Sequence, residues 1–295
     1  MTRVAWVAGA AALSLAVLNA GPTALAAGAA EQAGPPASAA PPPLPAYTPP
    51  RAPQHSEESD AATYDRCLTL AKSDPGAARD LAEHWQGRGG AHPADHCYAV
   101  ALVGLKQYSE GATKLEALAQ AMVHAPAALR AEVLDQASQA WLLAGDPARA
   151  YAADTAALNL LPGDPGILVD RAEAAGSEGS YDKALADLDR VLKTDPNRLD
   201  ALIYRASAYR ELNKLDLALA DADRAVGLSP DSVPALLERG DIRHLGGNLN
   251  GARQDWVRVS ELAPGSDADE EAKTNIERLE LKEDAAAPAD AKPQP

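Results

Sequence analysis

The chain has 295 residues and a formal net charge of -15, with no phenylalanine and two cysteines. Its length allows one or two ordinary domains. A negative charge of this size repels phosphate backbones and anionic membrane surfaces, and no stripe of lysine or arginine reverses it locally, so nucleic acid is excluded as an expected partner.

Residues 1–26 have the composition of an export signal. Arg3 gives the segment a positive end, the run from Val4 to Val17 is almost wholly apolar, and Ala24-Leu25-Ala26 fits the small-x-small rule for a cleavage site. We expect cleavage after Ala26 and a periplasmic or secreted protein, with no membrane insertion after cleavage. The alternative is an uncleaved membrane anchor, for which this apolar run is short.

Residues 27–60 are rich in alanine and proline and lack the bulky apolar side chains that offset the entropy of ordering. They are predicted to form a disordered, partly extended tether. Residues 284–295 have the same composition, and the same disorder is predicted for this tail.

Residues 61–130 are predicted to contain two divergent repeats. The segment Asp74-Pro75-Gly76-Ala77-Ala78 mirrors Asp146-Pro147-Ala148-Arg149-Ala150 further along the chain. The similarity indicates that the repeat found downstream already begins before residue 131, in a degraded form.

Residues 131–266 contain four units of 34 residues. Prolines and alanines both return at this spacing, at Pro162, Pro196, Pro230 and Pro264 and at Ala150, Ala184, Ala218 and Ala252. Each unit holds two amphipathic stretches, and the proline ends the second because it lacks an N–H and restricts the residue before it. One helix pair cannot bury its apolar face alone, so the period predicts a stack of helix pairs.

The pattern resembles the tetratricopeptide repeat family from about Asp60 to Pro264. The residues that carry the resemblance are large at position 4 and small at position 8 of each unit: Leu134, Leu168, Leu202 and Leu236, then Ser138, Ala172, Ala206 and Gly240. Two units depart from the family at position 11, with Ala175 and Arg243, and the other two depart at position 24, with Asp154 and Ala222. These departures affect the expected packing within those units and not the fold. The resemblance implies an all-α superhelix of about six helix pairs. The charged stretch after Pro264, with Ile276 and Leu279 on one side, predicts a capping helix at residues 267–283.

Three units have an arginine at position 7 and an aspartate 16 residues later: Arg171 with Asp187, Arg205 with Asp221 and Arg239 with Asp255. These arginines would form either a basic stripe for an acidic ligand or an ion pair within each repeat. Their repetition at the structural period favours the pair within the repeat. The resemblance favours it too, because position 7 faces the partner helix in this family.

In this register the two cysteines, Cys67 and Cys97, fall on the first helices of neighbouring repeats. Export would place them where disulfides persist, and a bond would close a loop of about 30 residues and stabilise by about 3 to 4 kcal/mol. The alternative is a metal site with His84, His92 and His96, although a proline spoils the helical spacing of the last two. A thiol nucleophile with His96 as its base lacks a neighbouring oxyanion hole.

No motif for a phosphate-binding loop, an activated nucleophile or a metalloprotease is present in the sequence. We therefore expect no enzymatic activity and no cofactor. The resemblance implies a periplasmic adaptor that binds another protein or peptide through its concave groove. The alternative is a structural subunit of a cell-envelope complex, held through its convex face or its tails.

In the family, positions 2, 5, 9 and 12 of each unit face the groove, which gives a predicted binding set: Asp135, Gln139, Val169, Glu173, Ile203, Ser207, Arg210, Leu237, Asp241 and His244. Val169, Ile203 and Leu237 form an apolar line with acidic residues around it. This pattern predicts a partner segment with apolar anchors and some positive charge. The alternative is that these three side chains only fill the inside of a narrow superhelix.

Overall fold

The computed structural model describes residues 59–286 of the chain. All of the secondary structure in this range is helical, and the helices divide into two compact units, one before and one after Pro126. The predicted all-α fold is confirmed. The predicted export signal, most of the predicted tether and the end of the predicted tail lie outside the described residues. Among residues 59–286, no helix combines the length and the apolar character that crossing a membrane requires.

The first unit contains two helix pairs: α1 (Asp60–Ser73), α2 (Pro75–Gln86), α3 (Ala91–Gly104) and α4 (Tyr108–Ala121). Small side chains fill its core around Cys67 and Cys97, so the helices approach one another closely. Asp74 caps α2 by accepting a backbone hydrogen bond at 3.1 Å. Pro75 lies in the first turn of α2, where a backbone N–H would have no partner within the helix, so proline costs no hydrogen bond there. α1 begins at Asp60, the last residue of the predicted tether.

The second unit contains four helix pairs and a terminal helix: α5 (Ala127–Leu143), α6 (Pro147–Leu160), α7 (Pro165–Ser177), α8 (Tyr181–Thr194), α9 (Leu199–Glu211), α10 (Leu215–Leu228), α11 (Val233–Leu245), α12 (Leu249–Leu262) and α13 (Asp267–Ala286). Each helix packs against the next along the chain. Each first helix also packs against the first helix of the next pair, as α5 does with α7 and α7 with α9. This is the stack that the 34-residue period predicts, with α5 starting slightly before Ala131.

Each of the four periodic prolines directly follows the residue that caps a second helix. The caps have φ between -125° and -140° and ψ between 53° and 88°, at Leu161, Asp195, Ser229 and Ala263. These angles lie outside the α region, which a proline disfavours for the residue before it. The prolines therefore end the second helices, as predicted.

Positions 8 and 24 of a unit lie on the two helices of one pair, and their side chains are matched. Ser138 Oγ donates a hydrogen bond to Asp154 Oδ2 at 2.6 Å, whereas Gly240 leaves room for the buried indole of Trp256. The two middle units have Ala172 with Leu188 and Ala206 with Ala222 at these positions. The departure at Asp154 is thus compensated across the pair, whereas Ala222 packs in a cluster with Ala206 and Ile242.

α13 packs against α12 and α11 at the end of the second unit. Leu279 and Ala272 are buried, while most of its other side chains are polar, which is what the end of a stack requires. Asp269 Oδ2 accepts hydrogen bonds from the Gly265 N–H and from Lys273 Nζ at the start of the helix. α13 continues to Ala286, beyond the predicted start of the tail at residue 284.

Candidate partner-binding surface

The position-7 arginines form bidentate ion pairs within their helix pairs. Arg205 donates through Nε and Nη2 to the two carboxylate oxygens of Asp221 at 2.7 and 2.8 Å. Arg171 with Asp187 and Arg239 with Asp255 have the same geometry, at 2.6 to 3.0 Å. The prediction of a pair within each repeat is confirmed, and these arginines do not form a stripe that is open to an acidic ligand.

The same arginines also contact the preceding helix pair. Arg205 Nη1 donates to Asp189 of α8 at 2.8 Å, and Arg239 Nη1 donates to Asp223 of α10 at 3.2 Å. Arg171 Nη1 reaches the hydroxyl of Thr155 on α6 at 3.3 Å. Each guanidinium therefore joins three successive helices, which is a structural role.

A second row of polar contacts joins the first helices of successive pairs. These contacts are Gln139 Nε2 to Asp170 Oδ2 at 3.3 Å, Tyr204 Oη to Glu173 Oε2 at 2.6 Å, Arg210 Nε to Glu238 Oε1 at 2.7 Å and Asn275 Nδ2 to Asp241 Oδ1 at 3.1 Å. We call the surface that contains them, on α5, α7, α9, α11 and α13, the first-helix face. Most of these side chains are half-buried rather than fully covered.

Five of the ten predicted binding residues lie in this row or beside it: Asp135, Gln139, Glu173, Arg210 and Asp241. Ser207 is buried and its hydroxyl accepts from Arg210 Nη2 at 3.3 Å. The ring of His244 lies 5.6 Å from that of Trp256. The predicted set is thus divided between the face and the packing beneath it.

The predicted apolar line does not reach the surface. Val169, Ile203 and Leu237 are 3%, 7% and 5% exposed, because adjacent first helices pack closely enough to cover position 5. This burial corrects the expectation of accessible apolar anchors. It fits the alternative, in which these side chains fill the inside of the stack.

Sequence reasoning missed three residues of the face that share position 6 of their units, Asp170, Tyr204 and Glu238. Each bonds to a neighbouring first helix. Three polar or aromatic residues at a spacing of 34 were visible in the sequence, and this recurrence is the signal that could have found them.

The carboxyls between α5 and α7 are strongly perturbed by burial. Burial, and then the neighbouring Asp170 carboxyl, raises the pKa of Asp135 to about 9. Burial also raises the pKa of Asp170 and of Asp154, and Asp154 is 0% exposed. Two carboxyls this close cannot both ionise without repulsion.

Two further carboxyls on the face have pKa values raised by burial to about 7, Glu173 and Asp241. The Tyr204 hydroxyl donates to Glu173, and the Trp256 N–H donates to Asp241 at 3.0 Å, so hydrogen bonds offset part of the effect of burial. The burial of the Glu238 carboxylate is offset by a positive charge instead, because Arg210 donates to both of its oxygens. The face therefore holds one internally neutralised carboxylate and several that are not.

Residues 169–233, at the centre of the second unit, match the tetratricopeptide repeat family. This part of the chain contains tetratricopeptide repeats. A thermophilic tetratricopeptide repeat protein of Thermus thermophilus is similar in structure over 65% of this chain and 100% of its own, with a TM-score of 0.52 and 19% identity, which shows the same fold.

Two other solved repeat proteins are similar at lower scores. MamA from Desulfovibrio magneticus RS-1 covers 66% of this chain and 99% of its own, with a TM-score of 0.46 and 19% identity. The first tetratricopeptide repeat domain of human RPAP3 covers 42% of this chain and 97% of its own, with a TM-score of 0.38 and 26% identity. A comparison with curated proteins gives no match.

The helix pairs that precede the matched repeats bring the two cysteines together. Cys67 on α1 and Cys97 on α3 have Cα atoms 6.1 Å apart and sulfur atoms at bonding distance. His96 lies beside them, but its Nδ1 is 2.7 Å from the Tyr64 hydroxyl. Among residues 59–286, no three His, Cys, Asp or Glu side chains are arranged to hold a metal ion.

Proposed function

We propose that this tetratricopeptide repeat chain is an exported, non-enzymatic scaffold that binds another protein through the first-helix face. The fold supports a role in protein–protein interaction, because stacked helix pairs present an extended surface with little rearrangement. Export is proposed from the pattern of residues 1–26 together with a buried cysteine pair at bonding distance, a pairing that persists in oxidising compartments.

The observation that carries the proposal is the difference between the two sets of charges in the second unit. On the second helices, Asp187, Asp221 and Asp255 each receive a bidentate arginine. On the first-helix face, Asp135 and Asp170 share the single amide of Gln139. Half-buried carboxyls with so few donors destabilise a fold, and binding is the role that accounts for their presence.

A photo-crosslinking amino acid, placed in one protein on the first-helix face and in another on a second helix, tests this role. Glu132 is half-buried on α5, one turn before Asp135, whereas Leu217 is 51% exposed on α10. We expect the protein with the crosslinker at position 132 to capture a defined protein, and the matched protein with the crosslinker at position 217 to capture none. Mass spectrometry identifies the captured chain, and purified components then reconstitute the complex.

The opposite result would favour the alternative role. Capture from Leu217 alone, with none from Glu132, would mean that the second-helix side is the interface, as expected for a structural subunit of an envelope complex. The intact mass of protein from the soluble periplasmic fraction tests export separately. A mass that includes residues 1–26, on protein recovered from membranes, would mean an anchored protein.

A further inference from the structure

The first helix pair of the second unit has acids where the other pairs have apolar residues. Asp135 occupies position 5, which is otherwise filled by Val169, Ile203 and Leu237, all less than 8% exposed. Asp154 occupies position 24, which is otherwise filled by Leu188, Ala222 and Trp256, all 1% exposed or less. Together with Asp170 on α7, these two form what we call the carboxyl cluster, of which Asp135 and Asp154 stand at packing positions.

Hydrogen bonding within the chain satisfies the carboxyl cluster only in part, although the Asp135 and Asp170 carboxyls hydrogen-bond to each other. Ser138 Oγ donates to Asp154 Oδ2, and Gln139 Nε2 lies 3.4 Å from Asp135 Oδ2 and 3.3 Å from Asp170 Oδ2. Asp154 Oδ1 and Asp135 Oδ1 are buried oxygens that receive no hydrogen bond from an N–H or hydroxyl group of the chain. Buried acceptors of this kind point to a donor from outside the chain.

The repeat itself shows which donor is absent. Arg210 on α9 donates to Glu238 on α11, which lies 28 residues later. Asp170 holds the same repeat position as Glu238, and the residue 28 places before Asp170 is Leu142. The carboxyl cluster therefore has the acid of this bridge but not its arginine.

The two arginines close enough to lower the pKa of these carboxyls are engaged elsewhere. Arg171 is held by Asp187 through two hydrogen bonds, and Arg198 is held by Asp200 at 2.9 to 3.2 Å. The other charged groups that act on the cluster, from α5, α9 and the N-cap of α7, are acidic, namely Glu132, Asp164 and Asp200. The local field is negative and attracts a cation.

We propose that the carboxyl cluster receives an arginine side chain from the partner protein, which takes the place that Arg210 has beside Glu238. The inference rests on the proposed scaffold role and names the chemistry of its partner, a segment that presents arginine. Asp135 and Asp170 are half-buried and contact the guanidinium, while the fully buried Asp154 lies next to them. A guanidinium fits because its planar fork pairs with two carboxylate oxygens at once.

Binding of arginine in this way displaces protons from the cluster. Asp135 and Asp170 hold protons to a higher pH than ordinary carboxyls, and a guanidinium favours their ionised forms. Affinity for an arginine peptide should therefore fall as the pH is lowered below about 9, and calorimetry in buffers of different ionisation enthalpy should detect proton release.

The first test uses the purified protein and a short fluorescein-labelled peptide of alternating arginine and alanine, with lysine and glutamate counterparts. Asp135→Asn and Asp170→Asn should each weaken binding of the arginine peptide about tenfold or more. Asp216→Asn removes the same charge from an exposed site on α10 and should change the affinity less than about twofold.

The second test restores the absent arginine within the chain. Leu142→Arg should occupy the carboxyl cluster, raise the thermal unfolding temperature and weaken binding of the arginine peptide about tenfold. Leu142→Met is the matched control and should leave both measurements unchanged. Circular dichroism establishes that each variant is folded before its affinity is measured.

Equal affinity of the arginine peptide for the wild-type, Asp135→Asn and Asp216→Asn proteins would overturn the proposal, since binding would then follow net charge alone. Equal affinity of the arginine peptide for the wild-type and Leu142→Arg proteins would overturn it too. If the lysine peptide bound as tightly as the arginine peptide, the cluster would be a site for any cation and not one for arginine. Partner capture from Glu132 that persists in Leu142→Arg would leave the scaffold role intact while refuting the arginine site.

Discussion

The indole of Trp256 occupies the space into which a side chain at Gly240 would project. A Cβ at Gly240 would lie 2.6 Å from Trp256 Nε1 and 2.8 Å from its Cδ1. Trp256 is 1% exposed and donates to Asp241, so the ring has little room to move. The glycine at position 8 is thus the steric counterpart of the tryptophan at position 24.

Gly240→Ala should destabilise the second unit by about 1 to 3 kcal/mol, because the added methyl overpacks a filled site. Gly227→Ala is the control: nothing lies within 4 Å of a Cβ there, and alanine favours the helix, so stability should stay equal or rise slightly. Chemical denaturation measures both. Adding Trp256→Leu to Gly240→Ala reproduces the pairing of Ala172 with Leu188 and should cost less than the sum of the single changes.

Arg205→Ala and Asp221→Ala should be coupled. The side chains are 20% and 10% exposed and meet through two hydrogen bonds, so a double-mutant cycle should give a coupling energy of about 1 to 2 kcal/mol. Arg205→Lys should recover only part of the loss, because an ammonium cannot pair with both oxygens. Strict additivity of the two alanine changes would contradict the structural role assigned to this pair.

Glu173 should make the protein less stable as the pH rises. Its pKa is raised by burial from 4.5 to about 7, so the folded state holds a proton that the unfolded state has released. Its contribution is present in full below about pH 4.5 and is lost as the pH rises through about 7. A pKa that differs by one between the folded and unfolded states is equivalent to about 1.4 kcal/mol of unfolding free energy.

Glu173→Gln should therefore flatten the profile of unfolding free energy between pH 5 and 8 and stabilise the protein above pH 7. Glutamine keeps an oxygen that accepts from the Tyr204 hydroxyl. Glu280→Gln, at an exposed site on α13, should leave the profile as it is in the wild-type protein. A profile for Glu173→Gln with the wild-type slope would show that this carboxyl is ionised throughout.

Cys67 and Cys97 should be joined by a disulfide in protein from an oxidising compartment. Alkylation without reduction, followed by mass spectrometry, should detect no free thiol. Reduction should destabilise the first unit by about 3 to 4 kcal/mol, given the separation of 30 residues between the cysteines. The double variant Cys67→Ser, Cys97→Ser should not respond to reductant, and two labelled cysteines in the wild-type protein would contradict the pairing.

The repeat architecture could be predicted because its determinants are local and periodic. A proline such as Pro196 acts on the residue before it and on its own helix end, so its effect can be inferred from sequence alone. The pairing of Arg205 with Asp221 was also predictable, because both residues recur with the period and occupy the facing helices of one pair.

The first-helix face was only partly predictable, because it depends on how closely neighbouring pairs approach. Sequence gives the position of Ile203 in its unit, but its burial depends on the distance between α7, α9 and α11, which many side chains set together. The carboxyl cluster was missed for a similar reason. On sequence alone Asp154 is a local departure from the family pattern, and its proximity to Asp135 becomes evident only when α5, α6 and α7 are assembled.

The arginines that each join three helices also determine how the second unit opens. α8 cannot part from α9, nor α10 from α11, without breaking a guanidinium contact, so the last three pairs should exchange their amide hydrogens as one cooperative segment. The series of ion pairs between successive helix pairs ends at α6, because Arg171 finds only the hydroxyl of Thr155 there. On α5, position 7 is Ala137, so this helix has no arginine to make such a contact. The α5–α6 pair, which carries Asp135 and Asp154, lies outside the segment, so its local opening would leave the rest of the stack closed.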